Sequence, residues 1–317
     1  MKLFATLPSD VRDRLFALAH SARVGLPEFA DPRVIEAARM LRAEAGVEAT
    51  LISPEVISSA RVQTDAVIQQ RAKKRGKSLP QEHVTWLDDP FFAAGAMLEM
   101  GQLDAVVGGA VATTAHVIRA ALNTVGIDAH APLITSCFLF KLREPTAGGE
   151  DVVLYADAGV VPQPSDAQLV QIAELATEAF ARWTGREPRV GFLSFSTLGS
   201  AEHADVQKVR GAANTFAQKN PHVLSEGELQ FDAAVVPEVA LRKNPSSRLA
   251  GRTNVFVFPD LDAGNIAYKI TQRLAGAEAW GPLLLGTAKP FSDLSRGASA
   301  QDIAHVALLT LALRPKV

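Results

Sequence analysis

The sequence predicts an α/β fold of two lobes, each with a mainly parallel sheet, and a cleft between them. Three observations carry this reading. Apolar, β-branched runs alternate with helix-period segments, as in sheets whose parallel strands are joined by covering helices. The chain has 317 residues, which is long for one domain. Its composition, 48% hydrophobic and 21% charged, suits a chain that folds around a core and excludes wholesale disorder.

Taken in order, the N-terminal MKLFATLPSDVRDRLF is interrupted by Pro8, Ser9, Asp10 and Arg12, so no secretory core is expected. LDAVVGGA (103–110) reads as a buried strand ending in a glycine pair, and TTAHVIRAAL (113–122) as the helix behind it. The Gly-rich TAGGE (146–150) is the expected linker between lobes. DVVLYAD (151–157), RVGFLSFS (189–196) and TNVFVFPD (253–260) read as further strands. Between the first two, Leu169, Ile172, Ala176, Phe180 and Trp183 recur at helical spacing, a stripe expected to face a core. The stretch 275–290 is expected to return the chain to the first lobe. The C-terminal AHVALLTLALRPKV falls short of the roughly 20 apolar residues of a membrane helix and reads as a buried helix. The expected lobes are thus 1–130 plus 283–317, and 131–282.

Charge narrows the partners. Lys plus Arg is 32 against 34 for Asp plus Glu, a net charge of −2, so nucleic acid and anionic membranes are not expected. Anionic ligands would need local cations. The single cysteine, Cys137, excludes an intramolecular disulfide and a Cys-rich metal site, and suits a reducing, cytoplasmic compartment. The seven histidines show no ligand spacing, and no Walker A motif, GxSxG elbow, HExxH helix or GxGxxG fingerprint occurs.

In parallel α/β sheets, ligands sit beyond the carboxyl ends of the strands. That rule selects GGAVATT (108–114), STLGSAEH (196–203), PDLDAGN (259–265) and DLSRGASAQD (293–302) as loops whose N–H groups and hydroxyls could cradle an anion. The last is the sharpest and has two readings. Ser299-x-x-Asp302 is a capping-box variant, which leaves Asp302 a helix-start carboxylate. Alternatively Arg296 forks onto a phosphate, Ser295 adds a hydroxyl donor and Asp302 is a base one turn away. Arg119, Lys243 and Arg273 lie near ligand loops, and Arg71 opens the densest charge run, RAKKRGK (71–77). Each has a solvated-face reading as well.

From about Leu103 to Leu311 the chain resembles the phosphate acetyl/butyryl transferase family, through GGAVATTAHVIRAAL, YADAGVVPQP, LSFSTLGSAEH, GELQFDAAVVPEVA, NVFVFPDLDAGNIAYKITQRL, GPLLLGTAKP and DLSRG. The first hundred residues match more loosely. The resemblance implies a fold similar to isocitrate and isopropylmalate dehydrogenases, and reversible acetyl transfer between CoA and phosphate by direct thiolate attack. It implies no cofactor, CoA and acetyl-CoA, phosphate and acetyl phosphate as ligands, and a homodimer. It also implies Asp302 as base for the CoA thiol, and Ser295 and Arg296 as the pair holding the acyl phosphate. Arg119, Arg71, Arg273, Lys243, Thr113 and Thr114 are then CoA and phosphate contacts. Ala298 and Leu198 depart from the family's common Cys and Lys or Arg. Butyryl or broader acyl transfer, and a non-catalytic acetyl-CoA-sensing module, are the competing implications.

Overall fold

Parallel pairing dominates both sheets of the computed structural model, which describes residues 2–131 and 133–315. The chain forms two units, Met1–Pro132 with Gly281–Val317, and Leu133–Trp280.

The first unit opens with α1 (Ser9–Ala19), β1 (Arg23–Leu26), α2 (Pro32–Ala45) and β2 (Glu48–Leu51). It continues with α3 (Pro54–Lys74), α4 (His83–Trp86), α5 (Pro90–Glu99), β3 (Ala105–Val107) and α6 (Thr114–Asn123). Helix starts follow local chemistry. Asp31 caps α2 and Asp89 caps α5, each with a proline in the first turn whose missing N–H costs nothing there.

The second unit holds β4 (Thr135–Lys141), β5 (Val152–Ala156), α7 (Asp166–Thr184), β6 (Arg189–Leu193), α8 (Ala204–Lys219) and β7 (Leu224–Leu229). Then follow α9 (Phe231–Val235), α10 (Pro237–Lys243), β8 (Val255–Val257) and α11 (Leu261–Arg273). β9 (Glu278–Leu285) carries the chain back to the first unit, which ends with β10 (Phe291–Ser292) and α12 (Ala300–Ala312).

The first unit's sheet has the order β10-β3-β1-β2, every pair parallel. The second sheet runs β7-β6-β8-β5-β4-β9, parallel from β7 to β5, with β4 antiparallel to β5. Trp86, Phe91, Phe92, Leu103, Val106 and Phe291 share one core, and Phe138, Phe140, Tyr155, Phe256 and Phe258 the other. The predicted stripe on α7 is buried throughout, Trp183 completely. The buried C-terminal helix is α12; Lys316 and Val317 lie outside the described residues.

One expectation is corrected. TAGGE is no linker: it lies inside the second unit as the turn between β4 and β5. Gly149 donates to the Thr146 carbonyl at 2.8 Å and Thr146 to that of Glu150 at 2.9 Å. A tight hairpin turn and a flexible linker demand the same residues, so composition could not separate them.

Candidate active site

Three neighbouring strands of the first sheet, β10, β3 and β1, run in one direction, so the loops that follow them share one edge. The segment after β1 organises the other two loops. Glu28 Oε2 accepts the N–H groups of Gly109 and Ala110 at 3.0 and 2.8 Å, and Oε1 those of Val111 and Ala112 at 2.7 and 2.8 Å. Four successive amides thus converge on one carboxylate.

After β10 stands Asp293, 1% exposed, whose Oδ2 accepts the Thr114 hydroxyl at 2.5 Å. It approaches so closely because residue 109 is glycine: a Cβ there would lie 2.2 Å from Asp293 Oδ1 and would sit on a backbone at φ +116°. Burial pushes the Asp293 carboxyl up to about 6, against the Thr114 hydrogen bond. Thr113, the N-cap of α6, accepts from the His116 N–H.

Next along the chain, residues 295–298 form a turn closed by Ala298 N–H to the Ser295 carbonyl at 2.9 Å. The turn exposes the side chains of Ser295 and Arg296, and the Arg296 guanidinium has no ion pair with any described residue. Its backbone is held by Arg33, which donates Nη1 N–H groups to the carbonyls of Arg296 and Ala298, both at 3.0 Å. Ser299 then caps α12, and Asp302 closes a reciprocal capping box. Asp302 Oδ2 accepts from the Ser299 N–H and hydroxyl, while Oδ1 accepts nothing from the described residues. Asp302 is half-buried, and one of its two oxygens is committed to the cap.

Elsewhere in this unit, Arg119 is exposed on α6 with no ion pair among the described residues. Arg71 is occupied: its Nε donates to the Thr124 carbonyl at 2.9 Å and its Nη2 pairs with Glu99 at 3.1 Å. In the second unit, Lys243 Nζ donates to Gln230 at 2.7 Å and pairs with Asp232 at 3.2 Å. Arg273 is exposed at the end of α11. The structure therefore brings Ser295, Arg296, Asp302, Thr113 and Thr114 onto neighbouring loops of one sheet edge. It places Lys243 and Arg273 in the other unit.

Each of the four loops gives at least one backbone N–H to a carboxylate of the chain itself, and in the 109–112 loop four successive amides are taken. Glu28 fills 109–112. Glu228 accepts Gly199 N–H at 2.8 Å and Ser196 hydroxyl at 3.0 Å in the 196–200 loop. Asp260 accepts Ala263 N–H at 2.8 Å, and Asp302 accepts Ser299 N–H at 2.9 Å. Burial pulls Glu228 upward, but Arg210 and the loop hydrogen bonds outweigh it and hold its carboxyl down to about 2. Glu28, Arg33 and Asp293 are the residues sequence reasoning missed. Among the described residues, no group of three or more His, Cys, Asp or Glu side chains is placed to hold a metal ion.

The geometry can be set beside known proteins. The family model for phosphate acetyl/butaryl transferase matches residues 10–311. A phosphate acetyltransferase of Paracoccus denitrificans is 41% identical over 303 residues, covering 93% of this chain and 95% of that protein. One from Acetivibrio thermocellus is 39% identical over 305 residues, covering 90% and 92%. Among solved structures, a phosphotransacetylase from Streptococcus pyogenes superposes with TM-score 0.85 at 32% identity, covering 95% of this chain and 97% of that one. A Staphylococcus aureus phosphotransacetylase gives 0.82 at 31% identity, covering 96% and 98%. By sequence over nearly its whole length and by fold, the chain belongs to the phosphate acetyl/butaryl transferase family.

Proposed function

We propose that this chain is a phosphate acetyltransferase, an acyltransferase that moves an acetyl group between CoA and phosphate. The observation that carries the reading is the Ser295–Arg296 turn. It presents a hydroxyl and a guanidinium without an ion pair to solvent, with the open Oδ1 of Asp302 on the helix that follows, in a chain of this family.

Asp302 takes the proton from the CoA thiol, which is mostly protonated at neutral pH. The thiolate attacks the acetyl carbon, the new C–S bond forms, and the C–O bond to phosphate breaks. Phosphate leaves with the electron pair. Arg296 and Ser295 neutralise the developing oxyanion and hold the departing phosphate, a planar fork and a hydroxyl matched to phosphate oxygens. Arg119, Arg71, Arg273, Lys243, Thr113 and Thr114 are assigned to CoA and phosphate contacts. Arg119 and Arg273 are the exposed candidates, whereas Arg71 is already paired with Glu99. CoA enters as substrate, and no separate cofactor is part of the proposal.

A homodimer fits the apolar stripe of Ile266 and Ile270 on α11 and Leu274 just after it, 57%, 51% and 84% exposed. No described helix is long and apolar enough to cross a membrane. A cytoplasmic protein without nucleic-acid partners is the reading that fits the single cysteine and the net charge of −2. The test supplies CoA with acetyl, propionyl and butyryl phosphate and follows the thioester absorbance. Fastest turnover with acetyl phosphate supports the proposal. Fastest turnover with butyryl phosphate favours the family's other named activity, and none at any length favours a non-catalytic sensor.

A further inference from the structure

The loops after β1, β3 and β10 are joined through one side chain. Arg33 has five N–H donors, and each has a partner. Nε and one Nη2 hydrogen grip Asp31, at 3.1 and 2.7 Å, which fixes the guanidinium plane. The second Nη2 hydrogen meets the Ala110 carbonyl at 3.0 Å, in the loop whose amides Glu28 holds. The two Nη1 hydrogens meet the carbonyls of Arg296 and Ala298. These carbonyls flank Gly297, so the contacts set the backbone that aims Ser295 and Arg296, and they use none of the side-chain groups that would meet a ligand. Only a rigid fork can bridge a carboxylate and three carbonyls on two loops. A lysine ammonium has three donors on a flexible stem and leaves carbonyls unmet.

We propose that Arg33 is the positioning residue of the catalytic turn: it acts on the reaction through Arg296 and touches neither substrate. The proposal deepens the acyl-transfer reading and rests on it for its kinetic test.

The experiment compares R33K, R33Q, R296Q and the R33K/R296Q double variant in the full-length protein. Kinetics with acetyl phosphate and CoA are paired with trypsin cleavage after Arg296 in R33K and R33Q. With Arg33 acting through Arg296, R33K lowers kcat by about tenfold, changes the KM for CoA by under about threefold, and costs less than about twofold once Arg296 is Gln. R33K and R33Q are cleaved after Arg296 at least about fivefold faster than the parent, because the released turn opens locally. Equal losses from R33K in both backgrounds overturn the proposal, as does an unchanged cleavage rate. Should the parent protein form no thioester at any acyl length, the acyl-transfer reading falls and proteolysis alone judges the clamp. Acceleration then supports it and no change overturns it.

Discussion

Ser299 gives both its backbone N–H and its hydroxyl to Oδ2 of Asp302, at 2.9 and 2.8 Å. The carboxylate proposed as the proton acceptor is thus also engaged in the capping box, and two substitutions separate the roles. Ser299→Ala breaks the cap but leaves the Asp302 carboxylate in place. It is expected to cost about 1 kcal/mol of stability and to keep kcat within about threefold. Asp302→Asn keeps an acceptor oxygen for the cap and loses the base, so kcat should fall at least about a hundredfold with little change in Tm. Denaturant titration and initial rates on both variants check this. Equal rates in the two would assign Asp302 to the cap alone.

Arg296→Gln is expected to lower kcat by about a hundredfold or more, the scale of losing a donor to a developing oxyanion. Stability should stay within about 0.5 kcal/mol, because the side chain is exposed and forms no ion pair with described residues. Thermal unfolding together with steady-state rates measures both quantities.

Legibility in the sequence divides along contact range. The α7 stripe, the capping box and the strands β3, β5, β6 and β8 were readable because each rests on neighbours within a turn or two. Glu28 and Arg33 were not. They sit in an ordinary-looking PEFADPR, and the partners they hold lie 81 to 84 and 263 to 265 residues away. Asp293 was hidden for a similar reason, its hydroxyl partner being 179 residues distant. That Glu28 takes the amides of the 109–112 loop was not legible, since no local pattern points to a glutamate 81 residues away.

Removing Glu28 leaves four amides facing a vacated anion site. Glu28→Ala is expected to lower Tm, and formate at roughly 50 mM should restore part of the loss where chloride at equal ionic strength does not. Differential scanning fluorimetry reads the shift. Equal effects of formate and chloride would mean the loop had closed over the gap.

Two buried groups set opposite pH trends. Burial outweighs the neighbouring Asp302 and lowers His305 to about 4, and its Nε2 accepts the Phe4 N–H at 2.9 Å. A base depressed in the fold contributes stability above its ordinary value near 6.5, lost as pH falls from there towards 4, on the order of 3 kcal/mol in all. His305→Gln should flatten that acid slope. Asp293 is raised to about 6, so the fold bears the cost of ionising it above that pH. Asp293→Asn should therefore gain stability at pH 8, by up to about 3 kcal/mol, and gain nothing below about pH 4. Urea titrations of parent and variants at pH 4, 6 and 8 check both signs. A variant gain that grows on acidification would reverse the Asp293 assignment.

The resident carboxylates also bear on how such a site can change over time. A backbone nest that holds the ligand ties recognition to loop conformation, and altering it means rebuilding the loop. Here Glu28 takes four such amides, and Glu228, Asp260 and Asp302 one each. In the proposed function, recognition of an outside anion rests on separable side chains such as Arg296 and Arg119. A single codon can then retune the preferred ligand while the scaffold that carries it stays folded.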